Sequence, residues 1–345
     1  MIQSCLLMLP ARLAPAWNAE GHMAVAQLAY NHLDSTVKAK CDSLIAVALS
    51  PGGSSTSTFV SASCWADDYK SQLGTGTWHY INLPISLDGT SFANFEPPAF
   101  DVVQAINQCI TTLKSGSTTP AQQASSLRYL IHFIADVHQP LHCTTAFSAA
   151  QPNGDAEGNG FPTTGTWNNL HSLWDSGGGY LNDPLPRPLS PGSQTTLNNR
   201  VATIEAAYPY LRGGGTLPDP MSWALEGKEL AVSITYAGIT RNSAPSISYL
   251  QTARSTTEAR IALAGKRLAD LLNTLFAVNI APFHATNGDF GFSWNSVPGT
   301  VYRLEWTEDL SFSNWKQLTD ITATGSLSLF QEPVMRGRKF YRIRR

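Results

Sequence analysis

Two histidine–aspartate pairs with one spacing stand out in this 345-residue chain: His132 with Asp136 in RYLIHFIADVHQPLH (128–142), and His171 with Asp175 in NNLHSLWDS (168–176). Residues four apart on a helix lie one above the other on a single face, about 6 Å between Cβ atoms. An imidazole and a carboxylate so placed can share one cation. Without a partner they would be costly to bury in an otherwise apolar run. A single His-x3-Asp pair is ordinarily a surface or capping pair. Two of them, in a chain with eight histidines, point to metal ligation.

Further candidates flank the pairs: His22 in EGHMA, Asp67 in CWADDYK, His79 in TWHYINLP, and His142, which Pro140 frees to swing back from beyond the helix. Imidazole and carboxylate donors without thiolate suit zinc in sites left open to water or substrate. No CxxC spacing occurs, so cysteine-held zinc is not expected. So many clustered donors suggest several ions, and metals a few ångströms apart are a common way to drive in-line attack at phosphorus.

These residues need a scaffold, and apolar residues at helical spacing supply one over 23–33, 100–113, 127–138, 197–211, 223–237 and 256–276. Long Gly/Pro/Ser-rich connections fall at 50–60, 84–98, 148–168 and 176–196. Loops of that length in a compact domain are often functional or tied down. Near residue 281 the pattern changes to short, aromatic, partly alternating runs such as VYRLEWTE and KFYRIRR, with turns such as Pro298-Gly299 between them. They read as a small β-sandwich-like module preceded by the linker APFHATNGD. The module holds no catalytic constellation and is expected to be a passive appendage or adhesion element.

Hydrophobic residues make up 43% of the chain and charged residues 14%, which excludes a disordered protein. A formal net charge of −2 without a Lys/Arg run excludes broad neutralisation of duplex phosphates. Ile2–Leu9 followed by Ala14-Pro15-Ala16 fits a secretory signal cleaved after Ala16, hence a secreted or periplasmic protein. Cleavage removes Cys5 and leaves Cys41, Cys64, Cys109 and Cys143, compatible with two disulfides outside the cytoplasm or with isolated buried thiols. No later segment is apolar for the roughly 18 residues of a membrane span. The expected organisation is a signal peptide at 1–16, a mainly α-helical catalytic domain at 17–280 and an all-β module at 281–345.

As a set, WNAEGHMAVAQLA, CWADDYK, WHYINLP, LRYLIHFIADVHQPLH, GDAEGN, NLHSLWD and WALEGKELA resemble the zinc-dependent single-strand-specific nucleases that double as 3'-nucleotidases. More distantly the chain is similar to the bacterial zinc phospholipases C of the same fold. The motifs span residues 17–237 in the family's order, further helices continue to about 276, and the β module lies outside the resemblance. The resemblance implies a helical domain with three zinc ions at the base of a cleft. It implies the ligands Trp17, His22, Asp67, His79, His132, Asp136, His142, His171 and Asp175. One ion would take Asp67, His79, His132 and Asp136, with Asp136 bridging. A second would take His142, His171 and Asp175. A third would take Trp17 and His22, with Asp67 reaching toward it. Trp17 ligates through the α-amine and carbonyl of a mature N-terminus, so secretion would also be activation.

The resemblance further implies hydrolysis of single-stranded DNA and RNA and of 3'-nucleotides, by zinc-activated water, to 5'-phosphate products. Asp67 would orient and deprotonate that water. Lys70 would neutralise a phosphate oxygen, and Asn159 would contact the scissile phosphate. Glu157 stands where the family usually has glycine. Tyr80, beside His79, offers a stacking face for an unpaired base. His32 and His284 read as ordinary surface or core residues, and His138 as a residue behind the ligands. No obligate protein partner is expected. Two rival readings share these residues: a phospholipase C-like zinc phosphodiesterase, and a secreted binding protein with structural zinc.

Overall fold

A computed structural model describes residues 17–115, 117–212, 219–278, 280–284, 288–296, 299–311, 314–325, 327–334 and 338–344. The expected signal peptide at 1–16 lies outside the described residues, as does Pro298 of the expected turn. The chain forms two compact units, Met1–Leu33 with Cys41–Leu271, and Asp34–Lys40 with Leu272–Arg345. The fold is mainly α-helical with a small C-terminal β module. The helical elements are α1 (Ala19–Asn31), α2 (Ser35–Ile45), α3 (Phe59–Ala62), α4 (Trp65–Leu73), α5 (Val102–Lys114), α6 (Pro120–Asp136), α7 (Leu170–Asp175), α8 (Pro191–Ala207), α9 (Pro220–Leu230) and α10 (Ile247–Leu275). The strands β1 (Leu83–Ser86) and β2 (Thr144–Phe147) fall among them. Among the described residues no helix is long and apolar enough to cross a membrane.

The centre of the larger unit is α6. Thr119 caps it, accepting from the Gln122 amide while the Gln122 side chain accepts from the Thr119 amide, and Pro120 fills the first turn. Every residue from Leu130 to Asp136 is buried. Burying a Leu, Ile or Phe side chain contributes roughly 1.5–3 kcal/mol, so the apolar residues here offset the burial of His132 and Asp136. The helix stops at Asp136, two residues earlier than the periodicity predicts. The His138 and Gln139 amides already donate to carbonyls three residues back, Ala135 and Asp136, and Pro140 follows.

Short elements do much of the positioning, and periodicity does not reveal them. β1 and β2 pair in parallel, Leu83 opposite Thr144, just after His79 and His142. The Ile81 amide donates to the His142 carbonyl at 2.8 Å and locks the two approaches side by side. The expected helix over 223–237 is instead α9 followed by a π-helical turn, Ala231–Thr235. The two disulfides left open by the cysteine count are not formed. Cys41, Cys64, Cys109 and Cys143 are all buried, and no disulfide joins them among the described residues. Cys64 Sγ donates to the Ala19 carbonyl and Cys143 Sγ to the Val137 carbonyl, so each is satisfied within its own packing site.

In the smaller unit, β3 (Ile280–His284), β4 (Phe290–Asn295) and β7 (Leu327–Glu332) form one three-stranded sheet in the order β3-β4-β7. β5 (Val301–Thr307), β6 (Lys316–Thr322) and β8 (Phe340–Arg344) form another, ordered β6-β5-β8. Phe292, Trp294, Tyr302, Leu304 and Ala323 make its core. Residues 281–284, expected as linker, belong to β3, where Pro282 is tolerated because β3 is an edge strand.

Candidate metal centre

Six segments bring the candidate ligands together. The Asn18 side chain caps α1 by accepting from the Gly21 amide, and α1 carries His22 one turn in. Asp67 and Lys70 lie on α4. His79 ends a 3-10 turn, Gly76–His79, and His142 lies in another, Pro140–Cys143. His132 and Asp136 lie on α6, and His171 and Asp175 on α7. Asn169 caps α7 by accepting from the Ser172 amide, which fixes that short helix on its loop.

The donors fall into three groups whose ligand atoms lie within 4.8 Å of one another: Asp67, His79 and His132; His22, His132 and Asp136; and His142, His171 and Asp175. Asp136 Oδ2 lies 3.1 Å from His79 Nδ1 and 3.2 Å from His132 Nε2. Asp67 Oδ1 lies 3.5 Å from His79 Nδ1 and 3.7 Å from His132 Nε2. Asp136 Oδ1 faces His22 Nε2 at 3.5 Å. The carboxylate grouped with His22 is therefore Asp136, where the expected division had Asp67 reaching to the third ion. In the last group His171 Nε2 lies 3.2 Å from Asp175 Oδ2, and the His142 and His171 ring centroids are 5.0 Å apart.

The back of the cluster orients its front. His132 Nδ1 bonds the Ser63 carbonyl at 2.5 Å, His142 Nδ1 the His79 carbonyl at 2.7 Å, and His171 Nδ1 the Glu157 carbonyl at 2.7 Å. A carbonyl accepts only, so each Nδ1 carries the proton and each Nε2 presents a lone pair inward, the usual outer-shell device of metal-bound histidine. His142 Nε2, His171 Nε2, both His22 ring nitrogens and Asp136 Oδ1 are buried without a hydrogen-bond partner. Buried polar atoms are rarely orphaned in this number at one place. The donor set, its tautomers and its orphans fit cations bound at all three groups.

Electrostatics agree. Burial pushes His22 and His79 below their ordinary values and His142 down to about 3. Burial disfavours charge on His132 and His171 as well, yet the carboxylates beside them outweigh it and lift each to about 9. Burial opposes the charge on Asp136, but His132 and His79 pull it well below the usual carboxylate range. Asp136 thus favours positive charge beside it, while burial raises Asp175 against the pull of His171.

Trp17 is fully buried. Its indole donates to the Ala135 carbonyl at 3.2 Å, and the Asn18 amide donates to the Asp175 carbonyl at 3.1 Å. Lys70 Nζ lies 3.1 Å from Asp67 Oδ1. The Asn159 side-chain amide donates to the Ala156 carbonyl, within a loop in which Ala156, Glu157 and Gly158 all have positive φ (50°, 58° and 84°). That geometry favours glycine, the residue the resemblance leads one to expect at the position of Glu157. Tyr80 is half-buried, and burial followed by the Glu157 charge raises its hydroxyl. His138 is turned away from the ligands. Its Nδ1 bonds the Ile134 carbonyl and its Nε2 lies 2.9 Å from Arg267. His32 pairs with Glu205 and stacks on Tyr210, and His284 is exposed on β3.

Three contributors escape motif reading. The Gln139 side chain donates to Asp175 Oδ1 at 2.9 Å and accepts from the Leu141 amide, orienting a ligand carboxylate. Its place between Asp136 and His142 is the available signal. Glu157 is buried, which pushes its carboxyl up to about 7 against the pull of His171, and Asn82 hydrogen-bonds it. Glu226 on α9 binds Arg260 and Arg267 of α10, and Arg260 donates to the His138 carbonyl, which bolts the end of α6 from behind.

"Nuclease S1" of Aspergillus oryzae is 27% identical over 286 residues, covering 77% of this chain and 93% of that protein. "Nuclease P1" of Penicillium citrinum is 25% identical over 294 residues, 77% of this chain and all of that protein. "Endonuclease 5" of Arabidopsis thaliana is 26% identical over 291 residues, 76% of this chain and 92% of that protein. The S1/P1 nuclease family model matches residues 17–277. All the candidate ligands, from Trp17 to Asp175, fall inside that span, and the chain belongs to the S1/P1 nuclease family, a hydrolase of nucleic acid.

Proposed function

We propose that the protein is a secreted or periplasmic endonuclease and 3'-nucleotidase that uses three zinc ions to hydrolyse single-stranded DNA and RNA to 5'-phosphate products. One observation carries the reading: in a buried cluster of imidazoles beside carboxylates, His132, His142 and His171 are pinned through Nδ1 to carbonyls, while Nε2 of His142 and His171 and both ring nitrogens of His22 have no hydrogen-bond partner. Zinc would be held by Asp67, His79, His132 and Asp136, by His142, His171 and Asp175, and by His22 with Asp136 and Trp17. When bound, zinc supplies Lewis acidity toward phosphate and lowers the pKa of water.

The chain's own groups do the rest. Of the three ligand carboxylates, Asp67 is the most accessible, with 15% of its side chain exposed against none of Asp136 and 8% of Asp175. It is the one placed to orient an incoming water and accept its proton at a carboxylate oxygen. Lys70, beside Asp67, offsets charge on a phosphate oxygen. Tyr80 offers its ring to a base, and a base turned out of a single strand can reach it. Asn159 sits in the loop that carries Glu157 and contacts the phosphate once its amide leaves Ala156. The contacts of Trp17 and Asn18 with Ala135 and Asp175 hold Trp17 beside the ligand helices α6 and α7. Cleavage after Ala16 frees an α-amine there, a ligand once its proton is displaced.

The test uses protein secreted through its own leader. Intact mass gives the N-terminal residue, elemental analysis gives zinc per chain, and denatured DNA is assayed with and without chelator. A phosphatidylcholine analogue serves as the competing substrate. Trp17 at the N-terminus, close to three zinc per chain and chelator-sensitive DNA cleavage are expected. An unprocessed chain with one zinc or none, or cleavage of the lipid analogue in preference to DNA, overturns the reading.

A further inference from the structure

The β module has a built cleft that the catalytic reading leaves unused. Trp306 lies on β5 in alternation with Tyr302 and Leu304, which are core residues, but it sits at the strand end and is half-buried. Its cross-strand neighbours are Lys316 on β6 and Tyr341 on β8. The ammonium groups of Lys316 and Lys339 lie 4.9 and 4.7 Å from the Trp306 ring centre. Phe290, from the other sheet, stacks on Tyr341 with centroids 5.6 Å apart. Trp306, Tyr341, Phe290, Arg338 and Lys339, with Glu308 and Glu332, line a cavity of about 720 Å³, within the range of small-ligand sites, and Lys316 lies over the Trp306 ring beside it.

The cleft's charges are unevenly committed. Glu332 is taken up, accepting from the Tyr341 hydroxyl and pairing with Lys339 at 2.9 Å. Lys316 and Arg338 are exposed and make no ion pair among the described residues. The module as a whole is the basic part of the chain. Residues 281–345 hold eight Lys and Arg against six Asp and Glu, while residues 1–280 hold fifteen against nineteen. Glu308 also lines the cleft, but with Arg338 on its wall and Lys316 over the Trp306 ring the rings still suit a ligand that is flat, apolar on its face and anionic at its side. A neutral sugar would use the rings but not the cations. A nucleotide uses both, since every base has a face to stack and every linkage a charge.

We infer that the cleft formed by Trp306, Tyr341 and Phe290 is an accessory binding site for single-stranded nucleic acid, with a base against the rings and phosphate toward Lys316 and Arg338. The inference rests on the nuclease assignment for its choice of ligand, and gives the module the role of a second hold on the substrate.

The experiment uses the full secreted chain. Binding of a fluorescently labelled oligothymidylate with cleavage-resistant phosphorothioate linkages to the zinc-loaded chain is followed by anisotropy across a range of salt. The variants are Trp306→Ala and the exposed pair Lys316→Glu with Arg338→Glu. Each is expected to weaken binding by about tenfold. The double variant also flattens the salt dependence, by about 0.7 in log–log slope for each cation removed. Hydrolysis of a 3'-mononucleotide, too short to use a second site, stays at the wild-type rate, while KM for long single strands rises and kcat holds. If Trp306→Ala lowers the melting temperature, the surface pair decides alone. Unchanged affinity and unchanged salt slope in that pair overturn the inference, as does preferential binding of a neutral oligosaccharide at the cleft. A chain that binds the oligonucleotide through these residues yet cleaves nothing would keep this site and defeat the proposed activity instead.

Discussion

The imidazole of His22 lies flat on that of His132, with ring centroids 3.9 Å apart and planes 10° from parallel, and Asp136 reaches both residues with different oxygens. One carboxylate on α6 thus serves the group that includes α1 and the group that includes α4 and the 3-10 turn at His79. Replacing it by its amide removes a charge shared by two sites. Asp136→Asn is expected to lose at least one bound zinc of three and to cut activity by more than about 100-fold, beyond the effect of losing an outer-shell partner. Elemental analysis and DNA cleavage on the same preparation check it. Full zinc with full activity would mean that the other donors suffice.

Gln139 tests the residues behind the ligands without replacing a ligand. It spans Asp175 Oδ1 and the Leu141 amide in a fully buried position. Gln139→Leu leaves that carboxylate oxygen and that amide unpaired. The expected result is a loss of about 10- to 100-fold in zinc affinity at the His142–His171–Asp175 group. Competition with a chromophoric chelator measures it. The His22 and Asp67 groups should hold their metal unchanged.

These two residues also mark how far the sequence could be read. Asp136 was legible because helical spacing and donor chemistry coincide at His132 and Asp136, and the same holds at His171 and Asp175. Gln139 was not, because an amide that orients a ligand has no spacing of its own. The helices α1, α5, α6, α8, α9 and α10 were visible from their apolar period and α2, α3, α4 and α7 were not; α6 ends earlier than that period because His138 and Gln139 tighten the turn. The β1–β2 pair was invisible: four-residue strands inside Gly- and Pro-rich stretches carry too little alternation to register. The division of carboxylates among the groups depends on which oxygen faces which ring, and only coordinates supply that.

Behind α6, Glu226 is clamped by Arg260 and Arg267, with Arg–Glu distances of 3.0 and 2.6 Å. Burial works against its charge, but the two arginines win and hold its carboxyl below the ordinary 4.5. A depressed carboxylate contributes stability that is present above its unfolded pKa and is lost as pH falls through its folded value. Between neutral pH and about 5 the contribution is constant; below 4.5 it fades. Glu226→Gln is therefore expected to be less stable than wild type at neutral pH, and the gap should narrow in acid. Denaturant midpoints of the chelated chain at a series of pH values give the answer, and a gap constant with pH would assign the loss to packing.

The thiols make a redox prediction. Burial pushes Cys64, Cys109 and Cys143 up to about 12, so none is a thiolate at neutral pH. The folded mature chain should resist alkylation, and the unfolded chain should take four labels without any reductant. Reductant should leave the melting temperature where it is. Mass spectrometry after alkylation in denaturant counts the labels. Two or fewer would mean that a disulfide forms in the secreted protein.

Glu157 carries strain that its neighbours impose. Its φ of 58° lies in the left-handed region between Ala156 and Gly158, both also at positive φ. A non-glycine residue there costs roughly 1–2 kcal/mol. The part of Glu157 that holds His171 is its carbonyl, which any residue supplies. Glu157→Gly should therefore raise stability by about 1 kcal/mol while leaving zinc content intact. The side chain argues the other way through its hydrogen bond with Asn82, which the glycine would lose. Glu157→Gln separates the two effects, since it keeps the strain and can keep the bond. If glycine stabilises and glutamine does not, backbone geometry governs this loop. If glycine destabilises, the buried carboxyl and Asn82 hold the loop together, and the residue is retained for that contact.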